Sequence, residues 1–177
     1  MVKPLFIIGY MASGKTTFGR ALARETGKDF IDLDFYIEQR FRKTIPQIFE
    51  ERGEEGFRKV ESSMLHEVGE FDDVIISCGG GTPCFFDNMA YMLERGDVVF
   101  LEASVERITE RLVINNARRP LMKGKSREEI AATVTAGLAA RDQWYSQANI
   151  RFCGEHLEDK RQISTSVTRF LATHPLK

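Results

Sequence analysis

Cysteine is scarce in this chain. Its three copies, Cys78, Cys84 and Cys153, are odd in number and lack a metal spacing such as C-x-x-C, so reduced thiols in a cytoplasmic protein are the expectation. Three histidines, His66, His156 and His174, form no recognisable ligand set. Charge of one sign is missing too. Lys+Arg 25 against Asp+Glu 26 leave a net charge of -1, which removes any bulk attraction to nucleic acid. No apolar run reaches transmembrane length, and Leu5 to Gly9 is far too short for a signal peptide, so no membrane partner is expected. Repeats and low-complexity segments are absent. What remains is 177 residues with 42% hydrophobic content, enough for a single domain over residues 1–177 with a substantial core.

One stretch organises the rest. Gly9-Tyr10-Met11-Ala12-Ser13-Gly14-Lys15-Thr16 fits G-x-x-x-x-G-K-[ST], the phosphate-binding loop. Leu5-Phe6-Ile7-Ile8 before it reads as a buried parallel strand. Thr17 to Thr26 after it has a helical pattern, with Phe18, Ala21 and Leu22 on one face. In that context consecutive backbone N–H groups and a helix N-terminus converge on an anion. Lys15 can reach the β- and γ-phosphates, and the Thr16 hydroxyl can ligand Mg²⁺.

Downstream, Asp29 to Asp34 reads as a second strand ending in two carboxylates. Asp32 and Asp34 are one residue apart, so on a strand both face the same side, toward the phosphate loop. That favours Mg²⁺ or hydroxyl chemistry, with Asp34 as N-cap of a helix from Phe35 the structural alternative. Phe35 to Glu70 is almost all helical in pattern. Thr44-Ile45-Pro46-Gln47 offers a capping box, Gly53 a break, and Gly56 onward a second helix. Phe57, Val60, Met64, Leu65 and Val68 form its core stripe. Arg58 and Glu61, three apart, read on their own as a solvated pair.

Asp73 to Ser77 is a third strand, followed by Gly79-Gly80-Gly81. Three successive glycines imply that something approaches the backbone closely. Strand three ends in Ser77 rather than the carboxylate expected there, which leaves Asp32 as the metal carboxylate. A helix over Phe85 to Arg95, a fourth strand over Asp97 to Leu101 and a helix over Ser104 to Leu112 come next. Asn115 to Lys125 is a cationic loop suited to a lid, or to plain solvation. Ser126-Arg127-Glu128-Glu129 caps a long helix to Ser146 that carries Arg141, with Trp144 and Tyr145 as core. Ile150 to Phe152 is a fifth strand and Gln162 to Thr173 a closing helix.

In this order the phosphate loop, Asp32-Leu33-Asp34, Phe57-Arg58 with Glu61, Gly79-Gly80-Gly81, Arg119-Pro120-Leu121 and Arg141 resemble the shikimate kinase family over nearly the whole chain. The resemblance implies an α/β P-loop NTPase fold: three layers, α/β/α, with a five-stranded parallel sheet of the nucleoside-monophosphate-kinase type. It also implies a substrate-binding helical subdomain at about 33–62 and a lid at about 112–126. The implied reaction is transfer of the ATP γ-phosphoryl group to the 3-hydroxyl of shikimate, in aromatic amino-acid biosynthesis, by a monomer. On this likeness Ala12, Ser13, Gly14, Lys15, Thr16, Thr17, Arg111 and Arg119 bind ATP, with Arg111 stacking on adenine. Thr16 and Asp32 hold Mg²⁺. Asp34, Arg58, Gly79, Gly80, Gly81 and Arg141 bind shikimate: Asp34 orients its hydroxyl, and the two arginines grip its carboxylate. Lys15 and Arg119 neutralise the transferring phosphoryl group, and Glu61 positions Arg58.

The chain departs from the family pattern at Ala12, which is harmless if its φ is negative, and at Thr82-Pro83. The expected adenine-side motif is not recognisable in Gly154-Glu155-His156-Leu157-Glu158. Gluconate kinase is the enzyme alternative, and the glycine triplet with Arg58 and Arg141 argues against it. A GTP-dependent switch lacks its N-K-x-D motif.

Overall fold

Strand β1 (Leu5–Ile8) sits mid-sheet because all four of its residues are apolar and both of its faces are covered. Leu5 and Ile7 pack into one core, Phe6 and Ile8 into the other, as the two-residue period of a strand requires. The computed structural model describes residues 3–115 and 124–176. Around β1 lie β2 (Asp29–Asp32), β3 (Val74–Ser77), β4 (Asp97–Glu102) and β5 (Ile150–Cys153), all parallel, in the order β2-β3-β1-β4-β5. The five-stranded parallel sheet is therefore as expected. On one face Phe18 and Leu22 of α1 (Lys15–Thr26) pack with Val167 and Phe170 of α7 (Lys160–Thr173). The other face carries α2 (Leu33–Phe41), α3 (Ile45–Gly69), α4 (Asn88–Arg95), α5 (Val105–Ile114) and α6 (Arg127–Tyr145).

Local chemistry sets the ends of these helices. Thr44 and Gln47 close a reciprocal capping box at α3, and Ser126 and Glu129 do the same at α6. The α3 stripe of Phe57, Val60, Met64, Leu65 and Val68 is buried as read. Two details differ. Asp32, not Asp34, caps α2: the helix starts at Leu33, and the Asp32 carboxylate accepts from the Phe35 N–H at 3.3 Å. Likewise α4 starts at Asn88 rather than Phe85, after Phe86 adopts a left-handed φ of 51. The break read at Gly53 is present: its φ of 67 and ψ of -178 are non-helical, and α3 is two helical pieces meeting there at a kink. Residues 116–123, with Arg119, fall outside the described residues. Among the described residues no helix is long and apolar enough to cross a membrane.

Candidate active site

Parallel strands end on one edge of the sheet, and the loop after β1 opens there into a cleft of about 610 Å³. Gly14 takes φ 100 and hands the chain to α1, so that the first N–H groups of the helix face the cleft. Lys15 is nearly buried, and its Nζ donates to the Tyr10 carbonyl at 2.8 Å. Thr16 Oγ1 donates to Asp32 Oδ2 at 2.7 Å. Asp32 is in register with Ser77 across the β2–β3 pair, beside the position where the missing strand-end carboxylate would stand. Ala12 has φ 61, so the negative φ that would make it harmless is not what the loop adopts.

The glycine triplet is explained by space rather than by backbone conformation, since none of the three has a positive φ. A Cβ on Gly81 would lie 2.9 Å from both terminal nitrogens of Arg58. One on Gly80 would lie 3.4 Å from Arg141 Nη1, and one on Gly79 3.2 Å from Asp34 Oδ1. Gly81 makes room for Arg58, and Gly79 for Thr82 and Glu61 as well as Asp34, whereas at Gly80 the contact with Arg141 is an ordinary one. The close approach inferred from sequence is made by the protein's own groups.

Arg58 is far from a solvated surface residue. Its Nη1 donates to Glu61 Oε2 at 3.0 Å, and its guanidinium lies 4.1 Å from the centre of the Phe85 ring. Its Nε is buried and has no hydrogen-bond partner among the described residues. Glu61 is only 1% exposed, and its other oxygen accepts from Thr82 Oγ1 at 2.8 Å. Asn88 Nδ2 in turn donates to the Thr82 carbonyl at 2.8 Å. Arg141 lies 4.8 Å from the centre of the Tyr10 ring, and Tyr145 Oη donates to the Gly80 carbonyl at 2.6 Å. Asp34 opens onto this cleft, yet crowding raises its pKa from 3.8 to about 6. Desolvation contributes most, followed by the charges of Asp32 and Glu61.

At the far end of the cleft stand Arg111, Ile114 and Leu157. Arg111 Nη1 donates to the carbonyls of Ala12 at 3.2 Å and Ser13 at 3.0 Å. Nη2 donates to the carbonyls of Gly154 at 2.8 Å and Glu155 at 3.4 Å, and Nε to Glu158 Oε1 at 2.9 Å.

A family model for shikimate kinase matches residues 11–172 of this chain. The chain belongs to the shikimate kinase family. A shikimate kinase from Phocaeicola vulgatus is 53% identical over 163 residues, 92% of this chain and 93% of that one. A crystal structure of shikimate kinase from Bacteroides thetaiotaomicron superimposes with a TM-score of 0.94 at 46% identity, over 98% of each chain. Another, from Acinetobacter baumannii in complex with shikimate, gives a TM-score of 0.82 at 29% identity, over 100% of this chain and 97% of that one.

Membership of the shikimate kinase family makes this an ATP-dependent kinase, and gluconate kinase has no comparable support. Of the site residues read from sequence, the structure brings Lys15, Thr16, Asp32, Asp34, Gly79 and Gly80 to one cleft, with Arg58 and Arg141 against the glycine triplet. Arg119 lies outside the described residues. Sequence reasoning did not find Tyr10 and Asn88 as supports, and it took Tyr145 for core alone. Tyr145 is core, at 1% exposed, but its hydroxyl also holds the triplet. A buried tyrosine needs a partner for its hydroxyl, and that was the available signal.

Proposed function

We propose that the protein transfers the γ-phosphoryl group of ATP to the 3-hydroxyl of shikimate, giving shikimate 3-phosphate and ADP. The observation that carries this reading is the convergence of Asp34, Arg58 and Arg141 on Gly79–Gly81 beside the phosphate loop. Two guanidiniums suit the bidentate grip of a small carboxylate. Asp34 then receives the acceptor hydroxyl, orients it for in-line attack and takes its proton if a base is needed. A carboxyl held near pH 6 is close to the value at which a base works best at neutral pH.

Ala12 to Thr17 cradle the triphosphate. Lys15 exchanges its bond to the Tyr10 carbonyl for the β- and γ-phosphates, where it offsets developing charge. Arg119, from a lid at about 112–126, adds a second cation and excludes water. Thr16 and Asp32 present hard oxygens to each other at 2.7 Å, the donor type that Mg²⁺ takes. Thr16 and Asp32 are the residues that would hold it, with phosphate and water oxygens as its other ligands. When bound, Mg²⁺ would neutralise charge on the β- and γ-oxygens. The helical segment at about 33–62 would close on the substrate as a subdomain.

A coupled assay of ADP release with shikimate, gluconate and AMP as acceptors tests the reading. Turnover with shikimate is expected to dominate. A higher kcat/KM for gluconate would overturn it.

A further inference from the structure

Helix α6 carries Gly137, Arg141 and Tyr145 four residues apart, which sets them on one face of the helix. That face meets the phosphate loop and the glycine triplet. Tyr145 donates to the Gly80 carbonyl, and the Arg141 guanidinium stands over the Tyr10 ring, 4.8 Å from its centre. Gly137 has no positive φ, and glycine weakens a helix interior, so the reason for it lies outside the helix. A Cβ there would lie 2.6 Å from Tyr10 Cε2 and nearer still to the hydroxyl oxygen. The missing side chain is the notch that the Tyr10 ring fills.

A second observation ties the same tyrosine to the nucleotide end. Tyr10 belongs to the phosphate loop and is only 3% exposed. Its carbonyl accepts from the Ser13 N–H at 3.1 Å and from Lys15 Nζ at 2.8 Å. One residue therefore shapes the loop with its backbone and receives Arg141 on its ring. Gly80 completes the contact, since a Cβ on it would lie 3.4 Å from the Gly9 carbonyl oxygen, the Met11 nitrogen and Arg141 Nη1 alike.

We infer that Tyr10 is a positioning residue for Arg141: the face of its ring holds the guanidinium where the shikimate carboxylate is to be gripped, and Gly137 seats the ring. Attraction to the ring narrows the many rotamers of a long side chain before substrate arrives, so less freedom is lost in binding. The inference rests on the reading of Arg141 as a ligand of that carboxylate.

The test compares the KM for shikimate with the KM for ATP in Tyr10→Leu, Tyr10→Phe, Gly137→Ala, Arg141→Met and the double variant Tyr10→Leu/Arg141→Met. Tyr10→Leu is expected to raise the KM for shikimate about three- to tenfold, the scale of a lost cation–π contact. Its KM for ATP should stay within about twofold, which a general loss of loop structure would not allow. Tyr10→Phe keeps the ring and should stay within about twofold for both substrates. In the Arg141→Met background the added Tyr10→Leu change should cost less than about twofold, because the two residues act as a unit. If Tyr10→Leu does not fold, Gly137→Ala carries the test: displacing the ring should raise the KM for shikimate by a similar factor and leave that for ATP. An equal rise in both KM values would overturn the inference, and so would no rise in that for shikimate. Phenylalanine as damaging as leucine would overturn it as well, and so would a full leucine effect in the absence of Arg141. An Arg141→Met protein with an unchanged KM for shikimate would overturn the reading of Arg141 itself, and the inference with it.

Discussion

At the acceptor end of the cleft the charged contacts run from side chain to side chain, with Asn88 and Tyr145 bracing two main-chain carbonyls, whereas at the nucleotide end one guanidinium holds four main-chain carbonyls. Arg58, Glu61 and Thr82 form a chain of hydrogen bonds in which the carboxylate is fully enclosed. Arg111 instead joins two loops by their backbones, and its carboxylate partner Glu158 is partly exposed. The acceptor end therefore depends on residue identity at each link. The nucleotide end depends on identity at Arg111 and on loop shape everywhere else.

Substitutions can break this contrast at several levels. Lys15→Ala strikes the junction of the two ends and should have the largest effect. The protein should fold, and kcat should fall by roughly two orders of magnitude or more, as when a transition-state donor is deleted. Near wild-type kcat in steady-state assays would remove the loop from the chemistry.

Arg58→Ala and Arg141→Ala come next. Each should weaken shikimate binding by about 2–5 kcal/mol, because a carboxylate loses a charged partner in a desolvated site. Binary ATP affinity, measured by calorimetry, should hardly change. Equal damage to ATP binding would make both arginines phosphate ligands and erase the distinction between the ends.

Thr82→Val should have the smallest effect of the three. It keeps the shape of the side chain but strips one hydrogen bond from the enclosed Glu61 carboxylate. Loss of such a bond costs about 1–3 kcal/mol, part of which should appear in the KM for shikimate and little in the KM for ATP. Thr82→Ser should restore most of it. If serine and valine behave alike, the hydroxyl is not what matters.

How much of this was legible follows the same division. A strand, a glycine loop and a helix are local, so β1, the phosphate loop and α1 could be read directly from their residues. Of the charged residues of the acceptor end, Asp34 could be read by type and position, whereas Arg58 alone looked like half of a solvated pair, and it and Arg141 were reached only through the family resemblance. Their supports were harder. Glu61 lies three residues from Arg58, and that spacing fits a surface pair equally well until burial is known. The purpose of the triplet could be sensed but not its occupants, which come from α2, α3 and α6. Two local readings failed. Asp32 and Asp34 are both plausible caps by type, and only the start of α2 at Leu33 selects Asp32. Ala12 takes a left-handed φ with its carbonyl bonded to Arg111, 99 residues away, and no local pattern reports that contact.

The central claim is that Asp34 acts chemically on the acceptor and does not merely start a helix, a task that Asp32 already performs. It also has a stability signature with a definite sign. Burial and neighbouring charge raise the folded pKa of Asp34 from 3.8 to about 6, so its contribution to stability is present below about pH 4 and is lost as pH rises through about 6. Asn does not titrate, so Asp34→Asn should melt no lower than wild type at pH 7.5, and the two should converge near pH 4. Because cleft water screens the carboxylate, the gap should be under about 1 kcal/mol, a degree or two in Tm. The deciding measurement is steady-state turnover of Asp34→Asn with shikimate and ATP, on the preparation used for melting. The account predicts a folded protein that binds ATP normally, with kcat reduced at least about a hundredfold. Intact stability with intact turnover would contradict it.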